Sequence, residues 1–361
     1  MKKFIKAILS VLFHLVFFTA LFAAYLTVQE YKPADLEKMN IYGAKSTRLN
    51  TEVDYRFATW NIGYGALGDN ADFFMDGGKM VNTATEERVV YNLDGICDVI
   101  DQLDPDFLFF QELDISSSRS YFIDEKQYIS DNCESRIVDR QYVFAPNFSV
   151  SFLPYPIPPI GKVYSGLLTF SKYSITDAER YQLPCPFKWP SRVANIKRCL
   201  LVTRHSIAGS DKELVFINLH LEAYDDGEGK VEQTNMLKGI MADEVAKGNY
   251  VIAVGDFNQV FSTTDTSRYP NIDAPWEPGF IDVNEFDPDL SFYTDPSVPT
   301  GRSLDRVLVT AENKDPEHFQ YYMLDGVIAS SNVVIKDIST IDLGFKYSDH
   351  NPVYVEFYLE K

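Results

Sequence analysis

Two segments of the sequence repeat one pattern, in which a strand, an amphipathic helix and a second strand follow one another and each strand ends in a polar residue. The first segment runs from a strand at 55–62 to one at 106–112, and the second from 214–221 to 250–256. Short apolar runs predict further strands at 141–144, 163–171, 199–205, 304–310, 319–329 and 353–359. Many strands with few helices predict an α/β (α+β) fold of two packed sheets with helices on the outer faces.

The helix of the first segment carries clear sequence signals. Thr83 and Glu86 have the spacing of a capping box, apolar residues recur at helical intervals over 89–103, and Asp104-Pro105 ends the helix. The second segment has a helix with apolar residues on one side over 236–245. Each helix therefore has one face that can cover a sheet.

Polar residues stand at the ends of the predicted strands in a regular way. Four strands end in Asn61, Glu112, His220 and Asp256. Another strand begins at Asp305, and the last one follows Asp349 and His350. If the last two strands run opposite to the first four, all of these side chains meet on one rim of the fold.

The residue types on this rim suit the hydrolysis of a phosphoester. Carboxylates such as Glu112 and Asp349 are ligands for a hard cation, and a buried carboxylate such as Asp256 can deprotonate a water. The predicted donors to phosphate oxygens are Asn61, Asn258, His220 and His350. Each short motif also has a plain structural interpretation, because GDFN can form an Asx turn and SDH can cap one. The ordered recurrence of these motifs favours a catalytic site.

The sequence resembles the endonuclease/exonuclease/phosphatase family, the deoxyribonuclease I-like superfamily, as a membrane-anchored, bacterial-type member. The resemblance covers residues 55–359, and its segments occur in the family's order: ATWNIG, FQELD, INLHLEA, VGDFNQ, SLDRVLV and SDHNPVYVEF. It implies a four-layer α/β sandwich of two packed mixed β-sheets flanked by helices. It also implies Mg²⁺, or else Mn²⁺, held near Asn61, Glu112 and Asp349.

The same resemblance implies roles for the catalytic residues. His220 contacts the scissile phosphate, Asp256 positions or deprotonates the attacking water, and Asn258 donates a hydrogen bond to phosphate. Asp305 is expected to orient the terminal imidazole of His350, which acts as an acid/base or electrostatic stabiliser. Because every one of these positions carries the expected residue, a non-catalytic binding protein on the same scaffold is disfavoured.

The N-terminal sequence predicts a membrane anchor over 1–28. Residues 7–28 contain no charged side chain, and a helix of that length can cross a bilayer. Lysines precede this run, so the positive-inside bias predicts a single-pass protein of the cell membrane with its catalytic domain outside the cytoplasm. A cleaved signal peptide is the alternative. Residues 29–53 are expected to be a polar tether, and 54–361 the catalytic domain.

The net charge of the chain limits the classes of substrate that we expect. The formal net charge of −19 repels polyanions at long range, so duplex DNA is not favoured as a partner. We therefore expect a phosphorylated small-molecule or lipid substrate, and a surface nuclease is the second hypothesis. The oligomeric state stays open.

Three further features of the sequence each have two possible roles. The segment from Phe144, FAPNFSVSFLPYPIPPIG, is an apolar lip that touches lipid or an ordinary Pro-rich surface loop. Lys188, Arg192, Lys197 and Arg198 bind a second phosphate or form a solvated face. Cys185 and Cys199 form a disulfide in an oxidising compartment or stay free.

Overall fold

The computed structural model describes residues 1–135, 137–225, 227–311 and 314–361. Its α-helices are α1 (Lys2–Val28), α2 (Glu86–Leu103), α3 (Glu125–Asn132) and α4 (Glu228–Ala246). Short 3₁₀ turns lie at Gly63–Gly65, Phe74–Asp76, Ser118–Ser120, Ile137–Asp139, Ser191–Ala194 and Val283–Glu285.

The strands are β1 (Leu36–Lys38), β2 (Tyr55–Asn61), β3 (Phe107–Asp114), β4 (Gln141–Leu153), β5 (Gly161–Ser171), β6 (Asp177–Gln182), β7 (Cys199–Ser206), β8 (Glu213–His220), β9 (Tyr250–Asp256), β10 (Gln259–Phe261), β11 (Gly279–Ile281), β12 (Leu290–Tyr293), β13 (Gly301–Arg302), β14 (Tyr321–Tyr322), β15 (Asp325–Ser330), β16 (Val333–Thr340) and β17 (Val353–Leu359).

Two large mixed sheets form the centre of the protein. One has the strand order β1-β6-β7-β8-β9-β15-β12, and the other has the order β16-β17-β2-β3-β5-β4. The two predicted strand–helix–strand segments supply one parallel pair to each sheet, β8 with β9 and β2 with β3. The predicted internal repeat is therefore present, with one copy in each sheet.

An aromatic layer joins the two sheets. The ring centroid of Phe216 lies 4.8 Å from those of Phe107 and Phe109, and all three side chains are fully buried. The outer faces are covered by helices, with Leu93 of α2 in one core cluster and Leu237 of α4 in another. Each such side chain stabilises the fold by roughly 1.5–3 kcal/mol on burial. The order helix, sheet, sheet, helix is the predicted four-layer sandwich.

The helix α2 begins two residues later than its sequence signal indicates. Thr85, not Thr83, is the N-cap, and its Oγ1 accepts a hydrogen bond from the Arg88 amide at 3.3 Å. The predicted end of the helix is correct, because Asp104 adopts a left-handed conformation immediately before Pro105.

The predicted strand at 304–310 is wrong. The chain forms turns there, and Leu304 and Leu308 are buried in two different hydrophobic clusters. Apolar residues four positions apart can serve separate clusters in a turn as well as they serve a strand, so the apolar pattern alone cannot distinguish the two.

The segment 29–53 is not a free tether. Residues 36–38 pair with β6, Leu49 forms a bridge with Ile207, and Leu49 is fully buried. Strands pair through main-chain hydrogen bonds, which require no regular pattern of side chains. A polar, weakly periodic sequence such as 29–53 can therefore pair with a sheet without showing a strand pattern.

Candidate active site

The polar strand ends meet on one rim because of strand direction. In the parallel pair β8 and β9, His220 lies opposite Asp256, and in the parallel pair β2 and β3, Asn61 lies opposite Gln111. The strand β15 runs antiparallel to β9 and begins at Asp325, and β17 runs antiparallel to β2 and follows His350. The predicted convergence is confirmed for Asn61, Glu112, His220, Asp256, Asn258, Asp349 and His350.

Asp256 lies at the centre of the rim. Its Oδ2 atom is 3.0 Å from Asn61 Nδ2, 3.4 Å from His220 Nε2 and 3.7 Å from His350 Nε2. Its Oδ1 atom accepts a hydrogen bond from the main-chain N–H group of Asn258 at 2.8 Å. Burial raises the pKa of Asp256 to about 6, although the neighbouring His350 acts in the opposite direction. This carboxylate is held by donors from both sheets, and it can accept a proton near neutral pH.

Glu112 projects into the site from an irregularity in β3. The register with β5 shifts between Phe110 and Leu113, and Glu112 has a φ of 51°. Its Oε1 atom accepts a hydrogen bond from Asn61 Nδ2 at 3.3 Å, and its side chain is 26% exposed. Bulges of this kind redirect a side chain at the end of a strand. Here the bulge turns a carboxylate towards the cleft.

Asp349 completes an acidic pair with Glu112. Burial and the charge of Asp349 raise the pKa of Glu112 to about 7, and burial also raises the pKa of Asp349. Ser348 Oγ donates to Asp349 Oδ1 at 3.3 Å. A carboxylate whose charge is disfavoured by a second one, next to the Asn61 amide, provides with it the hard oxygen donors that Mg²⁺ prefers. The predicted metal-binding residues therefore fit a divalent cation.

A second group of possible ligands lies beside the first. Asp256, Asp325 and His350 each place one ligand atom within 4.8 Å of the others. His350 already hydrogen-bonds to Asp325, so this group resembles a linked acid–base chain more than a free metal site.

The partner of the terminal imidazole differs from the prediction. His350 Nδ1 lies 2.7 Å from Asp325 Oδ2, and Asp325 is 2% exposed. Burial alone would lower the pKa of His350, but Asp325 and Asp256 outweigh it and raise this pKa well above its usual range. The imidazolium form can therefore stabilise negative charge that develops on a phosphate.

Asp305, predicted to orient His350, lies elsewhere. Its Oδ1 atom accepts a hydrogen bond from Ser303 Oγ at 2.6 Å, and its Oδ2 atom lies 3.5 Å from Arg306. The prediction failed because LDRV at 304–307 and LDGV at 324–327 share the same pattern. Only the second LDxV motif begins a strand, β15, at the rim.

Asn258 and His220 differ in how much of their hydrogen-bonding capacity is already used. Asn258 adopts a φ of 50°, and its Nδ2 atom donates to the Leu221 carbonyl at 2.9 Å, so its observed contacts hold the loop after β9. Burial lowers the pKa of His220 well below its usual value, which keeps its imidazole neutral. A neutral His220 can donate one hydrogen bond to a substrate oxygen.

Several residues around the cleft lie outside the strand-end pattern, and of these the sequence indicates only Arg198, as part of the basic stretch. Asp76 lies on a 3₁₀ turn, and the Tyr224 hydroxyl donates to its Oδ1 atom at 3.1 Å. Burial raises the pKa of Asp76 to about 7. Arg198 pairs with Glu222 and donates to the His220 carbonyl at 3.3 Å. None of these residues ends a predicted strand, and so the rule that located the other site residues could not find them.

The basic stretch and the cysteines have specific environments in the structure. Lys197 is buried and pairs with Glu30, whereas Arg192 pairs with the same carboxylate and is 46% exposed. Lys188 is exposed, so part of this stretch is a solvated face. Cys185 and Cys199 are free thiols, and no disulfide joins them.

Comparison with known proteins agrees with this geometry. Residues 58–350 match the family model described as the Endonuclease/Exonuclease/phosphatase family. The chain belongs to this family. Members hydrolyse phosphoester bonds and use divalent metals. A search of curated proteins found no significant match.

Three solved structures share the fold at low sequence identity. An endonuclease/exonuclease/phosphatase from Beutenbergia cavernae has a TM-score of 0.56 and 17% identity, over 85% of this chain and 72% of that one. One from Bacteroides vulgatus has a TM-score of 0.52 and 16% identity, over 86% and 100%. A functionally unknown conserved protein from Enterococcus faecalis has a TM-score of 0.51 and 14% identity, over 84% and 100%.

The N-terminal helix α1 agrees with the predicted span. It contains 27 residues, and an 18-residue stretch of it has a mean hydropathy of 2.3, so the helix is long and apolar enough to cross a membrane. A signal sequence near an N-terminus would have the same properties.

Proposed function

We propose that this protein is a membrane-anchored, magnesium-dependent hydrolase that cleaves a phosphoester bond outside the membrane. The observation that carries the proposal is the group of contacts to Asp256 Oδ2, which Asn61, His220 and His350 approach to between 3.0 and 3.7 Å. A buried carboxylate surrounded by a neutral imidazole, a protonated imidazole and an amide suits the in-line activation of water at phosphorus.

Each residue of the rim has its own role in the proposed reaction. Asp256 accepts the proton of the attacking water, since its raised pKa makes it a competent general base. His220 donates to a non-bridging oxygen, and the positive charge of His350 offsets the charge that develops on the phosphate. Asn258 positions Asp256 through its main-chain amide. Asp325 holds the orientation and the charge of His350.

Glu112, Asp349 and Asn61 are the residues that would hold the cation. A bound Mg²⁺ supplies Lewis acidity and neutralises charge at the phosphate. The repulsion between Glu112 and Asp349 supports this assignment, because a divalent cation would relieve it.

The substrate class proposed is a phosphorylated small molecule or a phospholipid headgroup. The net charge of −19 disfavours a long polyanion. Anchoring by α1 would limit the enzyme to substrates near the membrane surface.

The test measures cleavage of bis(4-nitrophenyl) phosphate by the full chain in detergent. We expect turnover that depends on Mg²⁺ and stops with EDTA. The changes His220→Ala and Asp256→Ala should each lower kcat by at least about 100-fold, the contribution typical of positioned acid–base groups. Far-UV circular dichroism of each variant checks that the fold is retained.

Turnover that resists EDTA would overturn the metal dependence, and losses below about tenfold would contradict the assigned roles. A parallel panel contains a phosphorylated inositol, vesicle phospholipid, and single- and double-stranded DNA. Cleavage of DNA alone would instead identify a surface nuclease.

A further inference from the structure

The catalytic residues line only part of a large cavity. The cavity has a volume of about 690 Å³, and Glu112, His220, Asp256 and His350 line its polar part. Most of the other residues that line the cavity are apolar, among them Leu67, Phe73 and Phe148. A phosphate group with its metal needs only the polar part. The apolar part is therefore available for another portion of the substrate.

The N-terminal helix supplies part of that apolar wall. Ala23 and Leu26, in the last two turns of α1, line the cavity. Both side chains are half-buried, whereas the neighbouring Ala24 is exposed and lies outside the cavity. The Trp189 Nε1 atom donates to Thr27 Oγ1 at 3.1 Å, which ties the helix to another residue that lines the cavity. The segment that would leave the bilayer is thus also a wall of the substrate cavity.

An ionic cluster around the buried side chain of Glu30 fixes this arrangement. The side chain of Glu30, two residues after α1 ends, is 2% exposed. Its Oε1 atom lies 3.0 Å from Arg192 Nε and 3.3 Å from Lys197 Nζ. Breaking a buried ion pair is costly because it leaves a charge without compensation. The cluster therefore holds the end of the anchor against the cavity mouth.

Exposed apolar side chains surround the same mouth. Tyr155 and Ile157, in the connection between β4 and β5, are 72% and 90% exposed, and Trp189 is 57% exposed. Tyr155 and Trp189 also line the cavity. Aromatic residues beside a membrane-spanning helix favour the interface between lipid and water. The apolar mouth would accordingly rest on the bilayer surface next to α1.

We propose that the substrate is a phosphoester lipid that remains in the membrane leaflet facing the catalytic domain. This inference rests on the proposed function and adds the source of the phosphate. The lipid's hydrocarbon chain occupies the apolar part of the cavity beside Ala23 and Leu26, and its phosphate reaches Asp256 and His220. Hydrolysis adds one water across one P–O ester bond, whose oxygen leaves protonated as an alcohol.

The experiment compares two esters that share one reaction centre. Hexadecyl 4-nitrophenyl phosphate and methyl 4-nitrophenyl phosphate have the same leaving group, and both release 4-nitrophenolate. The full chain is reconstituted in phosphatidylcholine vesicles with Mg²⁺, and both esters are dosed by total molar concentration. The readout is the ratio of kcat/KM for the hexadecyl ester to that for the methyl ester. Removal of each methylene from water is expected to favour binding about fourfold. The ratio should therefore be far above one, and the variants show how much of it the cavity contributes.

Two variants with matched controls separate the cavity from simple partitioning into the bilayer. Ala23→Trp places a large ring in the cavity wall, whereas Ala24→Trp adds the same ring on the exposed side of the helix. We expect Ala23→Trp to lower the ratio at least about tenfold, equivalent to losing contact with two methylenes, and Ala24→Trp to leave it unchanged.

The second variant, Tyr155→Ser with Ile157→Ser, removes the exposed residues at the mouth and should also lower the ratio. Its control, Val138→Ser with Phe280→Ser, removes two exposed apolar residues outside the cavity, each 66% exposed.

The outcomes distinguish this inference from the proposed function. Cleavage of neither ester would overturn the proposed function and the inference together. Cleavage of both with a ratio near one would overturn the inference alone. A high ratio that neither Ala23→Trp nor the mouth variant lowers would show partitioning without use of the cavity, which also overturns it. Faster cleavage of single-stranded DNA than of the hexadecyl ester would favour a nucleic-acid substrate instead.

Discussion

His350 and Asp325 hydrogen-bond across 2.7 Å, and they link the two sheets at the catalytic rim. Asp325 begins β15 of one sheet, whereas His350 precedes β17 of the other. Because the carboxylate both orients the imidazole and raises its pKa, this contact controls geometry and charge together.

Asp325→Asn should therefore lower kcat by at least about 100-fold, whereas Asp305→Asn should have an effect below about threefold. The amide keeps the hydrogen-bond acceptor but removes the charge that raises the pKa of His350. The alkaline limb of the pH–rate profile should then move to lower pH, since the imidazolium is lost earlier as the pH rises. Equal effects of the two changes would contradict the assignment of Asp325.

Replacing Glu112 should weaken the binding of Mg²⁺ but should stabilise the metal-free protein. In Glu112→Gln, the Mg²⁺ concentration for half-maximal activity should rise at least about tenfold, since weaker perturbations around metal ligands already cost that much. Without metal the variant should unfold at a higher temperature near pH 8. The pKa of Glu112 is raised from 4.5 to about 7, so its charge disfavours the folded state as the pH rises through that range. An unchanged Mg²⁺ requirement would exclude Glu112 as a ligand.

Gly63 is a second residue on which the metal region depends. It has a φ of 50°, and a Cβ atom there would lie 2.9 Å from Asp349 Oδ1. Gly63→Ala should displace Asp349 and raise the Mg²⁺ requirement. The control is Gly209→Ala, which has a φ of 76° and no atom within 4 Å of its added Cβ. Both changes strain the backbone, so an equal Mg²⁺ requirement in the two variants would argue against contact with Asp349.

Stability should fall on acidification because of His205. This residue is fully buried against Phe107 and Phe216, and burial lowers its pKa from 6.5 to about 3. Between those two values the unfolded chain binds a proton that the folded chain excludes, so the folded state loses stability as the pH falls. From pH 7 to pH 5 the loss should be about 2 kcal/mol. Urea unfolding of His205→Phe should show a pH dependence reduced by that amount, and an unchanged dependence would refute the prediction.

The buried pair Cys97 and Cys133 should form a disulfide under oxidising conditions. Their Sγ atoms lie 2.7 Å apart, so only a small shift is needed to join them. Exchange with oxidised glutathione would oxidise both thiols and release two equivalents of reduced glutathione. The loop closed by the bond should stabilise the protein by roughly 3–4 kcal/mol. Mass spectrometry after alkylation should find this crosslink, and Cys97→Ser should abolish it, whereas Cys185→Ser should not.

The fold was largely predictable because its elements carry local signals. The strands β9 and β17 lie where the sequence predicts them, and the two strand–helix–strand segments form parallel pairs as their pattern indicates. The edge strand β1 was not predictable, since it pairs through the main chain, has only three residues and buries none of them fully.

The sequence predicts those residues of the site that stand at the end of a strand. Asn61, His220 and Asp256 follow that rule, and strand direction then brings them together. Asp325 was missed because two LDxV motifs occur within 24 residues and only tertiary pairing decides which one faces His350. Asp76 and Arg198 reach the cleft from a turn and from a strand start, and no local periodicity marks such positions.

The 3.0 Å contact from Asn61 to Asp256 joins a residue at the end of β2 to one at the end of β9, in opposite sheets. The aromatic layer between the sheets is non-directional and tolerates a small slip at little loss of buried area. Catalysis does not tolerate it, since a displacement of about 1 Å can cost roughly 100-fold in rate. The rate of turnover therefore reports how accurately the two sheets are positioned relative to each other. In mild denaturant it should disappear while circular dichroism still reports intact sheets.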